Sequence, residues 1–410
     1  MSGKEMFKMK VAVMGYGTVG CGVVKVLKMN EESITEKSVN GKIEVKYILD
    51  IKEITDENAH LVTKNFDDIL YDDEIKVVVE TMGGLNPAFK FVSECLKKGK
   101  SVVSSNKELV AEKGLELMKI ASENGAMFEF EASVGGGIPV IRAITDSLNS
   151  NEITDVAGII NGTTNFILTK MVNEGAAYAD VLKEAQALGY AEKDPTADVE
   201  GLDAGRKICI LSALAFGKHV YPDKVHTEGI TSIKLEDVAL ADKLGCVIKL
   251  IARAKREEDG ISVMVSPALL SKSSPLAFVS GVNNAVLVRG NAVGDVMLYG
   301  PGAGMLPTAS AVVSDIIDCC NKWGSEKKID MFWEEEAPEG FIKDCLEART
   351  SLFVRGGFTE AEVKAVFGDV GNIYVGEETA FITPEKTEKE LRVSLTKLSS
   401  VNSVLRKLDY

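Results

Sequence analysis

Apolar positions along the chain change period several times, and each change marks an element. From Lys10 to Met14 there is little alternation, the pattern of a parallel strand covered on both faces. A glycine-rich turn, Gly15-Tyr16-Gly17-Thr18-Val19-Gly20, separates it from a helical stretch, Cys21 to Leu27. Strand-like runs follow at Ile43 to Leu49, Ile75 to Glu80, Ser101 to Ser104 and Ala126 to Phe130. A helix from Pro87 to a C-capping Gly99, and another from about Lys107, alternate with them. The alternation predicts a doubly wound α/β domain of Rossmann type.

Beyond it the pattern changes. Ile153 to Ile160 reads as a strand, Asn161 to Asn165 as a turn, and Phe166 to Glu174 and Ala179 to Leu188 as helices. A polar, Pro-containing loop, Tyr190 to Val199, opens a long helix to about Phe216. Ile230 to Ile233, Cys246 to Lys255, Ile261 to Pro267 and Ala285 to Gly290 read as β, so this region is α+β. Gly300 to Gly304 interrupts before a helix from Thr308 to Asn321, and an acidic linker follows, Glu334 to Glu339. Then the pattern resets to β-α-β-β-α-β, the ferredoxin-like order, between Ser351 and Leu408.

Composition narrows the function classes. The chain has 410 residues, with 47 Lys and Arg against 61 Asp and Glu, a net charge of −14. Such a balance argues against non-specific nucleic-acid binding, which needs a basic face. No apolar run approaches the roughly 20 residues that cross a bilayer, so no membrane partner is expected. The N-terminus carries three lysines and runs straight into a strand, with no secretory core visible. Seven scattered cysteines without a C-x-x-C read as reduced thiols of a cytoplasmic protein. Only three histidines are present, which leaves a zinc site or a Ser-His-Asp triad poorly supplied. Acid–base work falls to Lys, Asp or Glu.

Gly15, Gly17 and Gly20 follow a strand and open a helix, the context in which this spacing binds a dinucleotide. The first glycine makes the turn, the second admits the pyrophosphate and the third lets helix pack on strand. The N–H groups of Thr18, Val19 and Gly20 then face the phosphates. The plain alternative is a tightly packed turn. Asp50 ends the second strand, further from Gly20 than the usual spacing of about 20 residues because a polar insertion, Asn30 to Gly41, intervenes. A carboxylate there favours NAD over NADP, Lys52 beside it works against that, and a loop-capping role stays open.

The most informative stretch runs from Ala185 to Lys207. Gly189 ends a helix, Asp194-Pro195 makes a turn, and Asp198 falls at the start of the next helix, where its charge suits the dipole. Asp203 and Lys207 stand at i, i+4, which read plainly is an exposed ion pair worth a few tenths of a kcal/mol. Read as chemistry, the carboxylates would hold an ammonium group and the lysine would face a reacting oxygen. Ala185, Gly189, Asp194-Pro195, Asp198-Val199, Gly201, Asp203 and Lys207 together resemble the signature of homoserine dehydrogenases. Ser105-Asn106-Lys107, Glu131 to Pro139, Asn161 to Phe166 and Gly300 to Gly304 agree with that family, and the tail resembles its ACT domain.

The resemblance implies NAD- or NADP-dependent interconversion of L-homoserine and L-aspartate 4-semialdehyde, on the route to threonine and methionine. It implies Lys207 as proton donor and acceptor and Lys107 as the second lysine, beside both cofactor and substrate. Glu192, Asp198, Asp203 and Thr163 are implied as substrate residues, and Met82, Gly189 and Gly302 as neighbours of the cofactor. It also implies a sodium site from the Glu131 side chain and the carbonyls of Val134, Gly136 and Ile138. Oxygen ligands suit a hard cation, while a glycine-rich crossover without metal is the plain alternative. Domains follow: residues 1–133 for NAD(P), with helix 308–321 returning to them, 134–307 for substrate and dimerisation, and 340–410 as a regulatory ACT module. A threonine effector and a homodimer or homotetramer are implied as well. For the tail, a module that only dimerises stays open. Another Rossmann dehydrogenase of amino-acid semialdehydes or hydroxy acids, and a non-catalytic sensor, also stay in view. Against the first, no cysteine sits in a recognisable nucleophile setting; against the second, Glu192, Asp203 and Lys207 are all present.

Overall fold

The computed structural model describes residues 8–324 and 331–410. Of the three leading lysines, Lys4 lies outside the described residues, and Lys8 and Lys10 already belong to the first strand, Lys8–Met14. The chain forms two compact units.

One unit takes in Met1–Asn149, Gly217–Tyr221 and Gly300–Glu336. Its six-stranded parallel sheet runs Val62–Thr63, Lys42–Leu49, Lys8–Met14, Ile75–Glu80, Ser101–Ser104, Phe128–Glu129. Numbered along the chain that is 3-2-1-4-5-6, the Rossmann order, and the order in which strands are added reverses at Lys8–Met14 and Ile75–Glu80, which stay parallel. Helices cover the strands, so Val11, Val13, Val77, Val79 and Val103 are buried and read as unbroken apolar runs. Helix Met305–Lys322 packs on helix Thr18–Met29 in this unit. Their approach is close enough that a Cβ on Gly22 would lie 2.7 Å from the Met305 carbonyl oxygen.

The stretch expected as an acidic linker is partly ordered. Glu335–Glu336 pairs in parallel with Lys218–His219. Trp333 is 2% exposed and meets Phe130 and His219, and a Cβ on Gly114 would stand 3.1 Å from its ring. A run of glutamates hides such an anchor because the partners are distant in sequence.

The second unit takes in Ser150–Phe216, Pro222–Tyr299 and Ala337–Tyr410. Its mixed sheet runs Gly294–Pro301, Asn283–Gly290, Ile153–Ile159, Cys246–Glu257, Gly260–Ser271, Val401–Leu408, Arg349–Gly356, Thr379–Ile382, Ile373–Val375. Its last four strands belong to the tail, in the ferredoxin-like order fourth, first, third, second. Val401–Leu408 joins them to Gly260–Ser271 in parallel, pairing Ala268 with Arg406 and Leu270 with Leu408. Residues 230–233, read as β, form a turn closed by an Ile233 N–H to Ile230 carbonyl bond. Both isoleucines are buried on either side of it, which mimics strand composition. Helix Leu235–Lys243 then follows, unforeseen. Among the described residues no helix is long and apolar enough to cross a membrane.

Candidate active site

At the C-terminal ends of the parallel strands, Gly15 adopts φ +95°, a backbone form open to glycine. Its N–H donates to the Leu49 carbonyl at 2.8 Å, and the Thr81 hydroxyl donates to its carbonyl at 2.9 Å. A Cβ on Gly20 would lie 2.0 Å from the Gly15 oxygen, whereas one on Gly17 would meet nothing within 4 Å. The turn is thus packed at its first and third glycines and open at the second. Helix Thr18–Met29 starts there without a side-chain cap, leaving its first N–H groups to an anion. This cradle fits a pyrophosphate. Asp50 accepts N–H bonds from Tyr16 at 2.7 Å and Lys52 at 2.8 Å, so it shapes the glycine turn while keeping lone pairs for a ribose.

Met82 follows strand Ile75–Glu80, and its N–H donates to the Glu80 carboxylate at 2.8 Å. Lys107 is the first residue of helix Lys107–Glu123, where Asn106 caps the Leu109 N–H. Glu80 and Ser104, joined at 2.6 Å, are buried polar residues at this edge that sequence reading missed. The available signal was a carboxylate directly after the apolar run Val77-Val78-Val79.

The glycine crossover lies in the same unit. Glu131 is 3% exposed, and its carboxylate accepts the N–H groups of Ile141 and Arg142, each at 2.8 Å. Burial pushes its pKa up and those N–H bonds pull it down. Asp315 accepts the Glu131 N–H at 2.9 Å and an Arg142 guanidinium bond at 2.5 Å, tying the crossover to helix Met305–Lys322. No local motif announced Asp315. Val134 and Ile138 are buried, and a Cβ on Gly136 would fall 2.3 Å from the Gly302 carbonyl oxygen. A buried carboxylate amid carbonyls is a donor set suited to a hard cation. Each Glu131 oxygen keeps a lone pair, but the Ile138 carbonyl already accepts the Val140 N–H.

In the second unit, strand Ile153–Ile159 delivers Asn161 to the start of helix Gly162–Glu174, which it caps through the Thr164 N–H. The Asn161 amide donates to Asp198 at 2.7 Å and to Asp203 at 2.9 Å. The Thr163 hydroxyl lies 3.1 Å from Asp198 and 2.7 Å from the Tyr190 carbonyl. Asp198 sits in a single helical turn, Thr196–Val199, ahead of helix Leu202–Phe216 rather than at its start. Asp203 and Lys207 rise from the first turns of that helix, 2.8 Å apart. Lys207 Nζ also donates to the Ile160 carbonyl at 2.8 Å. Residue exposures of 3% and 8% overturn the reading of an exposed surface pair. Two carboxylates, an amide, a hydroxyl and an ammonium therefore share one cluster, buried except at the half-buried Asp198. Glu192 stands outside it, exposed on the loop after Gly189, whose φ is +76°.

The site residues thus divide by unit. Gly15, Gly17, Thr18, Val19, Gly20, Asp50, Met82, Lys107, Glu131, Val134, Gly136, Ile138 and Gly302 belong to the first. Thr163, Gly189, Glu192, Asp198, Asp203 and Lys207 belong to the second.

Two family models match successive stretches of the chain. A family model described as homoserine dehydrogenase matches residues 139–317, and one described as its NAD binding domain matches residues 15–131. A homoserine dehydrogenase of Bacillus subtilis is 44% identical over 316 residues, covering 76% of this chain and 73% of its own. One of Mycobacterium tuberculosis is 43% identical over 419 residues, covering 96% and 95%. The crystal structure of a homoserine dehydrogenase from Thiobacillus denitrificans superposes with a TM-score of 0.90 at 38% identity, covering 98% of each chain. A hyperthermophilic archaeal homoserine dehydrogenase in complex with NADPH does so with a TM-score of 0.67 at 28% identity, covering 78% of this chain and 100% of its own.

Proposed function

The chain belongs to the homoserine dehydrogenase family, NAD(P)-dependent oxidoreductases, and from that premise we propose how its residues divide the reversible interconversion of L-homoserine and L-aspartate 4-semialdehyde. Oxidation of the alcohol releases a hydride and a proton. When bound, NAD(P) would supply the hydride acceptor for oxidation or the donor for reduction. Lys207 takes the hydroxyl proton during oxidation, and its ammonium protonates the nascent alkoxide during reduction. Asp203 and the Ile160 carbonyl, each 2.8 Å from Nζ, aim the amine and fix its rotamer. This buried pair is the observation that carries the reading. Asp198 and Thr163 line the same cluster and orient the substrate. The exposed carboxylate of Glu192 receives the substrate ammonium, and Lys107 acts as the second lysine.

Gly15, Gly17 and Gly20, with the first N–H groups of helix Thr18–Met29, hold the pyrophosphate, supported by the open face at Gly17. Asp50 holds a ribose and favours NAD. Met82, Gly189 and Gly302 border the cofactor. Glu131 and the carbonyls of Val134, Gly136 and Ile138 would hold sodium, a reading supported by the burial of Glu131. The enzyme acts in the cytoplasm, on the route to threonine and methionine, as a homodimer or homotetramer; its seven free thiols suit a reducing compartment. The tail is an ACT module that answers to threonine, supported by its strand order and by an open groove lined by Lys234, Arg355, Glu378 and Asn402.

One assay tests the core of this: homoserine-dependent reduction of NAD and of NADP, with sodium and threonine varied. Turnover with either cofactor is expected, faster with NAD, supported by sodium and slowed by threonine. Substrate binding without turnover would sink the catalytic reading.

A further inference from the structure

Glu80 closes strand Ile75–Glu80 with a side chain that is 0% exposed. Three donors reach it, two of them backbone N–H groups. One oxygen accepts the N–H groups of Met82 at 2.8 Å and Gly83 at 3.2 Å. The other accepts the Ser104 hydroxyl at 2.6 Å. Ser104 in turn accepts the Asn106 N–H at 3.1 Å, and the Asn106 amide donates to the Gly84 carbonyl at 2.7 Å. Hydrogen bonds therefore close a ring from Glu80 through residues 82–84 and Asn106 to Ser104 and back. Asn106 is also the cap that starts the helix whose first residue is Lys107.

A fully buried carboxylate at a strand end is costly unless donors surround it, and packing alone would be served by a valine like its strand neighbours. We propose that Glu80 is a positioning residue, which through this ring holds Lys107 and the Met82 loop in one fixed arrangement for catalysis. The proposal rests on the part assigned above to Lys107. Glu80 neither touches substrate nor moves a proton. It fixes the origin of the Lys107 side chain, and a misplacement of about 1 Å in such a group costs about 100-fold in rate.

Glu80→Gln keeps the shape and removes the charge, and Ser104→Ala opens the same ring with a smaller change should the first variant fold poorly. Each should lower kcat about 100-fold while the dinucleotide dissociation constant changes by less than about threefold. Glu80→Gln combined with Lys107→Ala should be no slower than Lys107→Ala alone, since one acts through the other. Glu80→Asp should recover part of the rate. Unchanged kcat in folded Glu80→Gln or Ser104→Ala would overturn the proposal while leaving Lys107 its role. Multiplying losses in the double variant, or parallel losses of kcat, cofactor affinity and thermal midpoint, would overturn it too. If Lys107→Ala itself keeps full turnover, the assignment of Lys107 fails and takes the proposal with it.

Discussion

Lys207 and Asp203 draw their importance from burial. An i, i+4 pair on an exposed helix is worth a few tenths of a kcal/mol, and its loss is hard to measure. Here both groups are withdrawn from water and each has further partners, so removing the amine strands a buried carboxylate. Lys207→Ala should lower kcat by about 100-fold or more, the range of a general acid–base group, while cofactor affinity stays within a few fold. Lys207→Arg should fail as badly, because a guanidinium does not give up its proton at working pH. Steady-state rates beside a dinucleotide titration check both, and weakened cofactor binding would mean the lysine serves something else. His219 makes a separate residue-scale case. It is 2% exposed between the rings of Trp333 and Tyr221, and burial pushes its pKa down to about 4. An unfolded histidine takes its proton near 6.5. Between those values the unfolded chain binds the extra proton, so stability is present above about 6.5 and lost as pH falls toward 4. The loss approaches roughly 3 kcal/mol. His219→Phe should flatten the fall in denaturation midpoint between pH 7 and 4.5, and an unchanged slope would assign that fall elsewhere.

At the scale of elements, the glycine turn separates two requirements that its spacing merges. Gly20 serves packing, because any Cβ there collides with the Gly15 carbonyl. Gly17 is not needed for packing, because a Cβ there meets only open space, which leaves it free for the pyrophosphate role proposed above. Gly17→Ala should keep the thermal midpoint within about 1 °C and weaken dinucleotide binding about tenfold or more, since the methyl occupies the face a pyrophosphate needs. Gly20→Ala should lower midpoint and binding together. Melting curves with and without NAD(P) distinguish them, and equal behaviour of the two variants would remove the assignment. The turn, its strand and its helix were legible because a Rossmann edge encodes them contiguously. Helix Leu235–Lys243 was not, since its moderate amphipathicity follows two isoleucines that imitate a strand.

At the scale of the whole molecule, the tail is joined to the mixed sheet of the second unit. Val401–Leu408 pairs with Gly260–Ser271, and Leu408 lies in one apolar cluster with Ala157, Ile251 and Leu270. Arg406 is buried between Glu388 in the tail, at 2.7 Å, and Glu228 outside it, at 2.8 Å. Deleting residues 340–410 should therefore bare the strand edge at residues 268–270 and the apolar surface around it. The shortened chain is expected to aggregate in size-exclusion chromatography and to melt lower. A monodisperse product with the original midpoint would show that the tail contributes little to the unit's stability.

The sequence by itself determined what is local. The glycine turn, the element order of both the Rossmann region and the tail, and the chemical types gathered between Ala185 and Lys207 are carried by short stretches with a definite period. Tertiary structure decided what depends on distant partners. It buried the Asp203–Lys207 pair against Ile160 and Asn161, set Asp315 behind Glu131, and closed the ring between Glu80, Ser104 and Asn106. It also anchored Trp333 and drew the tail into one sheet. The physical reason is the same each time. Burial and hydrogen-bond satisfaction belong to three-dimensional neighbourhoods, and a pattern read along one strand or helix does not contain the neighbour that removes its water.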